Sequence, residues 1–77
     1  MLFDIDDDYG TFCINLGDIL HIRKYYQKEF VDNHYCITIT YKTNYNAVQL
    51  KYKISEDCSS AFGKIKYHWN KVIKGDK

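Results

Sequence analysis

The hydrophobic residues in the second half of the chain change their spacing once, from two to three or four. Between residues 35 and 54 two alternating apolar runs flank a polar turn at residues 43–46, and beyond residue 55 the spacing becomes helical. A period of two indicates a strand with one buried face, and a period near 3.6 indicates an amphipathic helix. The sequence therefore predicts strands at 35–42 and 48–54, followed by a helix that packs on their apolar face. The alternating residues are Tyr35, Ile37, Ile39, Tyr41, Val48, Leu50, Tyr52 and Ile54, and the helical ones are Cys58, Ala61, Phe62, Ile65, Trp69 and Val72.

The first half of the chain predicts further strands at residues 2–5, 12–16 and about 19–26, with a polar connection at 27–34. Gly17-Asp18 is a two-residue hairpin signal, because glycine reaches positive φ without strain. A strict hairpin there places Ile19 on the inward face, whereas the apolar choice is Leu20 and Ile22. A bulge or a longer loop near Gly17 would resolve this conflict.

The predicted helix has recognisable ends. Ser55 is the expected N-cap and Gly75 the expected stop, while Gly63 inside the helix suggests close approach to a strand. We therefore predict a single α+β domain spanning residues 1–77. It is an antiparallel meander sheet of four to five strands with one C-terminal α-helix packed across one face.

Composition limits the class of protein. The net charge is +1, which argues against a dominant nucleic-acid binder, and no apolar run approaches the length of a membrane span. The three cysteines are widely spaced and odd in number, which favours free thiols and a cytoplasmic location over a disulfide framework.

No spacing in the chain predicts a cofactor, a metal site or a catalytic centre. Asp4-x-Asp6-x-Asp8 begins like a calcium loop, but the glycine that such a loop requires is replaced by Tyr9. The three histidines and three cysteines lack the paired spacing of zinc sites. A minimal ribonuclease that uses a set such as His21, Arg23 and Tyr25 is a further alternative hypothesis.

Binding is the function that the composition favours. Eight tyrosines in 77 residues exceed what so small a core holds, and tyrosine is enriched at interface hot spots. An acidic stretch near the N-terminus and a basic C-terminal helix offer charged surfaces. The candidate partner-binding residues are Asp4, Asp6, Asp7, Asp8, Tyr25, Tyr26 and Tyr45, and the candidate nucleic-acid-binding residues are Lys51, Lys53, Lys64, Lys66 and Lys71.

In these features, taken over the whole chain, the sequence resembles the small proteins of phages and mobile elements that block a host machine, such as anti-CRISPR and other anti-defence proteins. The resemblance implies stoichiometric binding, in the host cytoplasm, to a nuclease or defence effector that handles nucleic acid. The four aspartates would then stand in for phosphates and the three tyrosines would act as anchors. A small nucleic-acid-binding protein is the main alternative, no membrane partner is expected, and a homodimer is compatible with either function.

Overall fold

The computed structural model describes residues 2–28, 33–43 and 47–75. Within these residues, five strands precede one long helix, and a 3-10 turn joins the second strand to the third. The elements are β1 (Leu2–Asp7), β2 (Gly10–Asn15), the 3-10 turn (Leu16–Asp18), β3 (Ile19–Lys28), β4 (Asn33–Tyr41), β5 (Ala47–Tyr52) and α1 (Ser55–Ile73). The predicted α+β class, with antiparallel strands and one C-terminal helix, is confirmed.

The strands form two sheets rather than one meander. β1 pairs only with β2, and a separate sheet has the order β3-β4-β5, with every pairing antiparallel. The predicted hairpin at Gly17 is wrong, because β2 and β3 do not pair. The Asn15 side chain instead accepts a hydrogen bond from the Gly17 N–H (3.2 Å), and Leu16 is buried, which turns the chain inward between the two sheets.

A β-bulge near the start of β3 resolves the conflict over its inward face. The register against β4 shifts between Ile19 and His21. Ile19 is 2% exposed and Leu20 is 45% exposed, while Ile22 is half-buried against the core. The extra residue lets Ile19 and Ile22, three positions apart, share one face.

Several predicted boundaries change. β1 continues through Asp6 and Asp7, which were expected to end it, β5 stops at Tyr52, and β3 and β4 extend into the expected polar connection. Part of that connection (29–32) and most of the turn after β4 (44–46) lie outside the described residues.

The helix packs on the apolar face of the three-stranded sheet, and the β1–β2 hairpin contributes to the same core. The buried cluster consists of Ile5, Ile14, Leu16, Ile19, Ile37, Ile39, Leu50, Tyr52, Cys58, Ala61 and Ile65.

Gly75 has a φ of 65°, which confirms the predicted helix stop. Two expectations for the helix are wrong. Ser55 is the first helical residue rather than a side-chain cap, and Gly63 is exposed, with open space where a β-carbon would lie.

Candidate functional site

The β5 edge of the three-stranded sheet is covered by the acidic tip of the β1–β2 hairpin. The Lys51 N–H donates to Asp7 Oδ2 (2.9 Å), and the Lys51 carbonyl accepts from the Asp8 N–H (3.1 Å). Two residues further along the chain, the Lys53 N–H donates to Asp8 Oδ2 (2.7 Å). Side chains and backbone of the hairpin therefore satisfy the outward-facing groups at the C-terminal end of this edge.

The same tip is held in shape by its own hydrogen bonds. Asp7 Oδ1 accepts from the N–H groups of Tyr9 (2.8 Å) and Gly10 (2.9 Å), which closes the turn between β1 and β2. From inside the core, the Tyr52 hydroxyl donates to the Asp6 carbonyl (2.6 Å). Burial raises the pKa of the Tyr52 phenol, and the Asp7 carboxylate raises it further.

Beyond the β5 edge, the hairpin tip reaches the sheet face that lies opposite α1. The Tyr9 hydroxyl lies 2.8 Å from His34 Nε2, and His34 is only 4% exposed. Nδ1 of His34 is buried without a hydrogen-bond partner in the described part of the chain. Cys36, fully buried on the same face, places its thiol 3.6 Å from Gln27 Oε1.

The β3 edge is arranged differently. In antiparallel pairs, neighbouring residues alternate in directing their backbone groups to one side of the strand or the other. The N–H and C=O groups of Lys51 point away from β4. Those of Cys36, its partner on β4, therefore point toward β3, where they face the backbone of Tyr25. The residues on either side of Tyr25, Lys24 and Tyr26, therefore direct their N–H and C=O groups out of the sheet.

Ile22 shares this outward direction, since it lies two residues before Lys24. Within residues 2–28, 33–43 and 47–75, no group outside the sheet hydrogen-bonds to the backbone of Ile22, Lys24 or Tyr26. β3 is ten residues long, so this described edge offers a row of backbone donors and acceptors.

Side chains of β3 divide between two faces. Ile22, Lys24 and Tyr26 lie on the α1 side, where Tyr26 is 49% exposed and its ring centroid is 4.8 Å from that of Tyr35. The opposite face carries Arg23 and Tyr25, with the guanidinium carbon 5.3 Å from the phenol centroid. The strand carries Arg23, Lys24, Lys28 and His21, and it contains no carboxylate.

Tyr25 is fixed in position by a polar network on the face opposite α1. Its hydroxyl accepts from Gln49 Nε2 (2.5 Å) and from Thr38 Oγ1 (3.3 Å). Gln49 Nε2 also lies 3.4 Å from Gln27 Oε1. This network orients the phenol ring, and with it the stacked Arg23 side chain, next to the β3 edge.

A cavity of about 250 Å³ opens beside this edge, between β3 and the first turns of α1. Its lining residues are Lys24, Tyr25, Tyr26, Tyr35, Ser55, Cys58 and Ser59. Lys24 Nζ donates to Ser59 Oγ (3.3 Å) and lies 5.5 Å from the centroid of the Phe62 ring. Burial raises the pKa of the Cys58 thiol, while the charge of Lys24 opposes that shift.

The candidate partner-binding residues do not form one surface in the described structure. Asp4 and Asp6 are exposed, and Asp6 Oδ1 accepts from Thr11 Oγ1 (2.5 Å). All four aspartates line a groove of about 650 Å³ between β1 and α1, away from Tyr25 and Tyr26 at the β3 edge. Tyr45 lies outside the described residues.

The candidate nucleic-acid-binding lysines also separate. Lys51 and Lys53 lie at the β5 edge, while Lys64 lines the acidic groove. Lys66 Nζ lies 5.5 Å from the Phe62 ring centroid and Lys71 Nζ lies 4.5 Å from that of Tyr67, both on α1.

The thiols and the alternative sites can also be located. Cys13 is exposed, Cys36 and Cys58 are buried, and none of these three cysteines forms a disulfide. In the described parts of the chain, no three His, Cys, Asp or Glu side chains converge as metal ligands, and no helix is long and apolar enough to cross a membrane. His21 shares the face of Arg23 and Tyr25, as the ribonuclease hypothesis requires, but the Tyr25 hydroxyl is held in the polar network.

Sequence reasoning missed the β3 edge. The one available signal was the absence of any carboxylate from residues 19–28, which sets this strand apart from the acidic segment before it. Comparison with known proteins gives no further guide, since no family model, curated protein or solved structure matches this chain.

Proposed function

We propose that this domain is a non-enzymatic protein-binding module that takes up an extended segment of a partner along β3. The observation that supports this is the asymmetry of the three-stranded sheet. Asp7 and Asp8 satisfy its β5 edge at Lys51 and Lys53, at the C-terminal end of that strand, whereas its β3 edge presents the outward backbone groups of Ile22, Lys24 and Tyr26 without such a cover. In strand addition, main-chain hydrogen bonds supply affinity and the alternating side chains supply specificity.

Several features of β3 protect the edge against indiscriminate pairing. The bulge at Leu20 and the charges of Arg23 and Lys24 are devices that restrict which strand can pair with an edge. A partner strand must therefore match this edge in charge and shape, which suits a specific binding module.

The biological role suggested by the resemblance is part of the same proposal. A stoichiometric inhibitor of a host nuclease or defence effector would occupy an extended segment that the effector needs. The exposed carboxylates of Asp4 and Asp6 offer a second contact for cationic side chains that otherwise hold phosphate. Asp7 and Asp8 are less suited to that role, because their carboxylates bond the backbone of β5 and the hairpin turn.

The test of strand addition uses proline at a position whose N–H faces outward. Lys24→Pro removes an N–H that the sheet does not use, which edge strands tolerate. Lys24→Ala is the matched control, since it loses the same amine but keeps the N–H. Peptides selected from a random display library on the wild-type domain are expected to bind Lys24→Ala and to lose binding to Lys24→Pro by fluorescence anisotropy.

Circular dichroism would establish that both variants are folded. Arg23→Pro serves as a positive control for disruption, because the Arg23 backbone is directed into the sheet and its loss should unfold β3. Equal binding of the selected peptides to Lys24→Pro and Lys24→Ala, or failure to select any peptide, would overturn the proposal.

A second candidate function is binding of nucleic acid by the exposed face of α1. Lys66 and Lys71 lie there with Tyr67, which is 57% exposed. Phosphate contacts make affinity fall steeply with salt. Binding of a single-stranded oligonucleotide that weakens with salt and is lost in Lys66→Ala/Lys71→Ala, but not in Lys24→Pro, would support this function over the first.

A further inference from the structure

We infer that the segment accepted by β3 is an acidic, amphipathic strand of a partner protein, with carboxylates on the Arg23 face and apolar side chains on the α1 face. This inference rests on the proposed function and specifies its partner. An added strand would place successive side chains alternately on these two faces, next to the corresponding side chains of β3.

The face opposite α1 specifies the acidic half of the pattern. Arg23 lies against the Tyr25 ring, which is itself held by Gln49 and Thr38, so the guanidinium is supported beside the edge. His21 extends the same row. Carboxylates on an adjacent strand would meet this row as directly opposed pairs, the arrangement that favours opposite charges.

The α1 face specifies the apolar half. Here the edge carries half-buried Ile22 and the half-exposed ring of Tyr26, and the cavity of about 250 Å³ opens beside Lys24 and Tyr26. Lys24 covers this region with its aliphatic stem, because its amine is turned toward Ser59 and Phe62. An apolar or aromatic side chain of the added strand can therefore pack on Ile22 and Tyr26 and enter the cavity.

A second copy of this chain does not fit the same edge. Pairing β3 with another β3 would bring together two strands that each carry Arg23, Lys24 and Lys28 and no carboxylate, and like charges on paired strands are destabilising. β1 has the required alternation, with Asp4 and Asp6 between apolar residues, but Ile5 is 7% exposed and belongs to the core. The acidic strand must therefore come from a different protein.

At the opposite edge, carboxylates of this chain already bond backbone groups of the sheet. Asp7 and Asp8 accept hydrogen bonds from the outward N–H groups of Lys51 and Lys53. Within one molecule, an acidic segment thus already bonds the end of one edge of this sheet, at Lys51 and Lys53.

Synthetic peptides of defined pattern would test the inference. The probe is the blocked peptide Glu-Val-Glu-Phe-Glu-Val-Glu, and the comparison peptides replace every Glu by Lys or by Thr, or group the acidic and apolar residues into two blocks. The wild-type domain should bind the alternating acidic peptide at least about tenfold more tightly than each comparison peptide. Binding should be lost in Lys24→Pro and retained in Lys24→Ala.

A charge-reversal variant supplies the matched control. Arg23→Glu should weaken binding of the acidic peptide about tenfold or more and strengthen binding of the lysine peptide. Lys66→Glu makes the same kind of charge reversal on α1, away from the edge, and should leave both affinities nearly unchanged.

The outcomes separate the inference from the proposed function. If the threonine or lysine peptide binds as tightly as the acidic one and all are lost in Lys24→Pro, strand addition stands and the acidic partner is wrong. If Lys24→Pro binds every peptide like Lys24→Ala, strand addition itself is wrong. A dimer in sedimentation that Lys24→Pro dissociates, or an oligonucleotide bound through Arg23 and unaffected by Lys24→Pro, would also overturn the inference.

Discussion

Tyr52 connects the β1–β2 hairpin to the three-stranded sheet from within the core. Its side chain is 4% exposed, and its hydroxyl donates to the Asp6 carbonyl at 2.6 Å. The ring packs with the buried cluster while the hydroxyl satisfies a backbone acceptor of the neighbouring sheet. A phenol is suited to this position because it combines a large apolar surface with one polar end.

Replacement of Tyr52 by phenylalanine should lower the free energy of unfolding by about 1 kcal/mol near neutral pH, since it removes one hydrogen bond and keeps the ring. The pKa of the phenol is raised in the folded protein, so its neutral form is favoured there. Above about pH 10 the unfolded chain ionises this group first and binds fewer protons, and the stability of the wild-type protein falls as pH rises. Tyr52→Phe cannot lose stability in this way, so the difference in the free energy of unfolding between the two proteins should shrink as the pH rises.

Urea unfolding of both proteins at neutral pH and at about pH 10.5 measures this change, because contributions from all other groups are shared. Tyr26→Phe, at a ring that is 49% exposed, is the matched control for loss of a phenol hydroxyl. A difference for Tyr52→Phe that stays constant across the range would contradict the expected role of burial.

At the scale of elements, the acidic tip of the hairpin holds β5 in place through hydrogen bonds. Asp7 alone accepts three backbone hydrogen bonds, from Tyr9, Gly10 and Lys51. Asp7→Ala should therefore cost about 2 kcal/mol of stability, whereas the exposed Asp4→Ala should change it by less than about 0.5 kcal/mol. Thermal or urea unfolding of the two variants provides the measurement. Equal effects would mean that the hydrogen bonds of Asp7 contribute nothing to stability beyond surface charge.

This distinction decides how the acidic residues can be tested for partner binding. Substitution of Asp7 or Asp8 disturbs the sheet edge, so a loss of partner binding in such a variant could come from a change in folding. Asp4 and Asp6 are exposed and are the informative pair.

The elements that the sequence predicts well are those with one strongly buried face. In β4 and β5 the alternation reports burial directly, since Ile37, Ile39 and Leu50 are fully enclosed beneath α1. β3 is harder, because a bulge breaks its period and an open edge leaves both of its faces partly polar. The β-forming residues of 19–26 identified the strand, but they gave no information on which edge of the sheet it forms.

The candidate site depends on contacts between residues far apart in the chain, which no local pattern encodes. The Asp7 carboxylate bonds the backbone of a residue 44 positions later. From sequence, the aspartates form a charged patch that is suited to a partner, and only the pairing of the hairpin with β5 shows that two of them serve the fold. The Gly63 prediction fails for the same reason, since nothing in a local sequence shows that this helix position faces open space.

At the scale of the whole molecule, the two sheets share one core. Ile5 and Ile14 of the hairpin belong to the same buried cluster as Leu50 of the three-stranded sheet and Ile65 of α1. A two-stranded hairpin is marginally stable by itself, so its order depends on this shared burial. The protein should therefore unfold as one cooperative unit rather than sheet by sheet.

A pair of core truncations tests this cooperativity. A domain of this size has a stability of roughly 4–12 kcal/mol, and an Ile→Ala change in the core costs about 2–5 kcal/mol. Ile5→Ala weakens the hairpin and Ile37→Ala weakens the three-stranded sheet, yet each should lower the urea midpoint of the whole molecule.

Far-UV circular dichroism follows all the elements, and fluorescence of Trp69, the single tryptophan, follows the packing of α1. The two probes should give coincident curves for each variant. An early dichroism change in Ile5→Ala that leaves Trp69 unaffected would show instead that the hairpin detaches alone, and that Lys51 and Lys53 then lose their hydrogen bonds to Asp7 and Asp8.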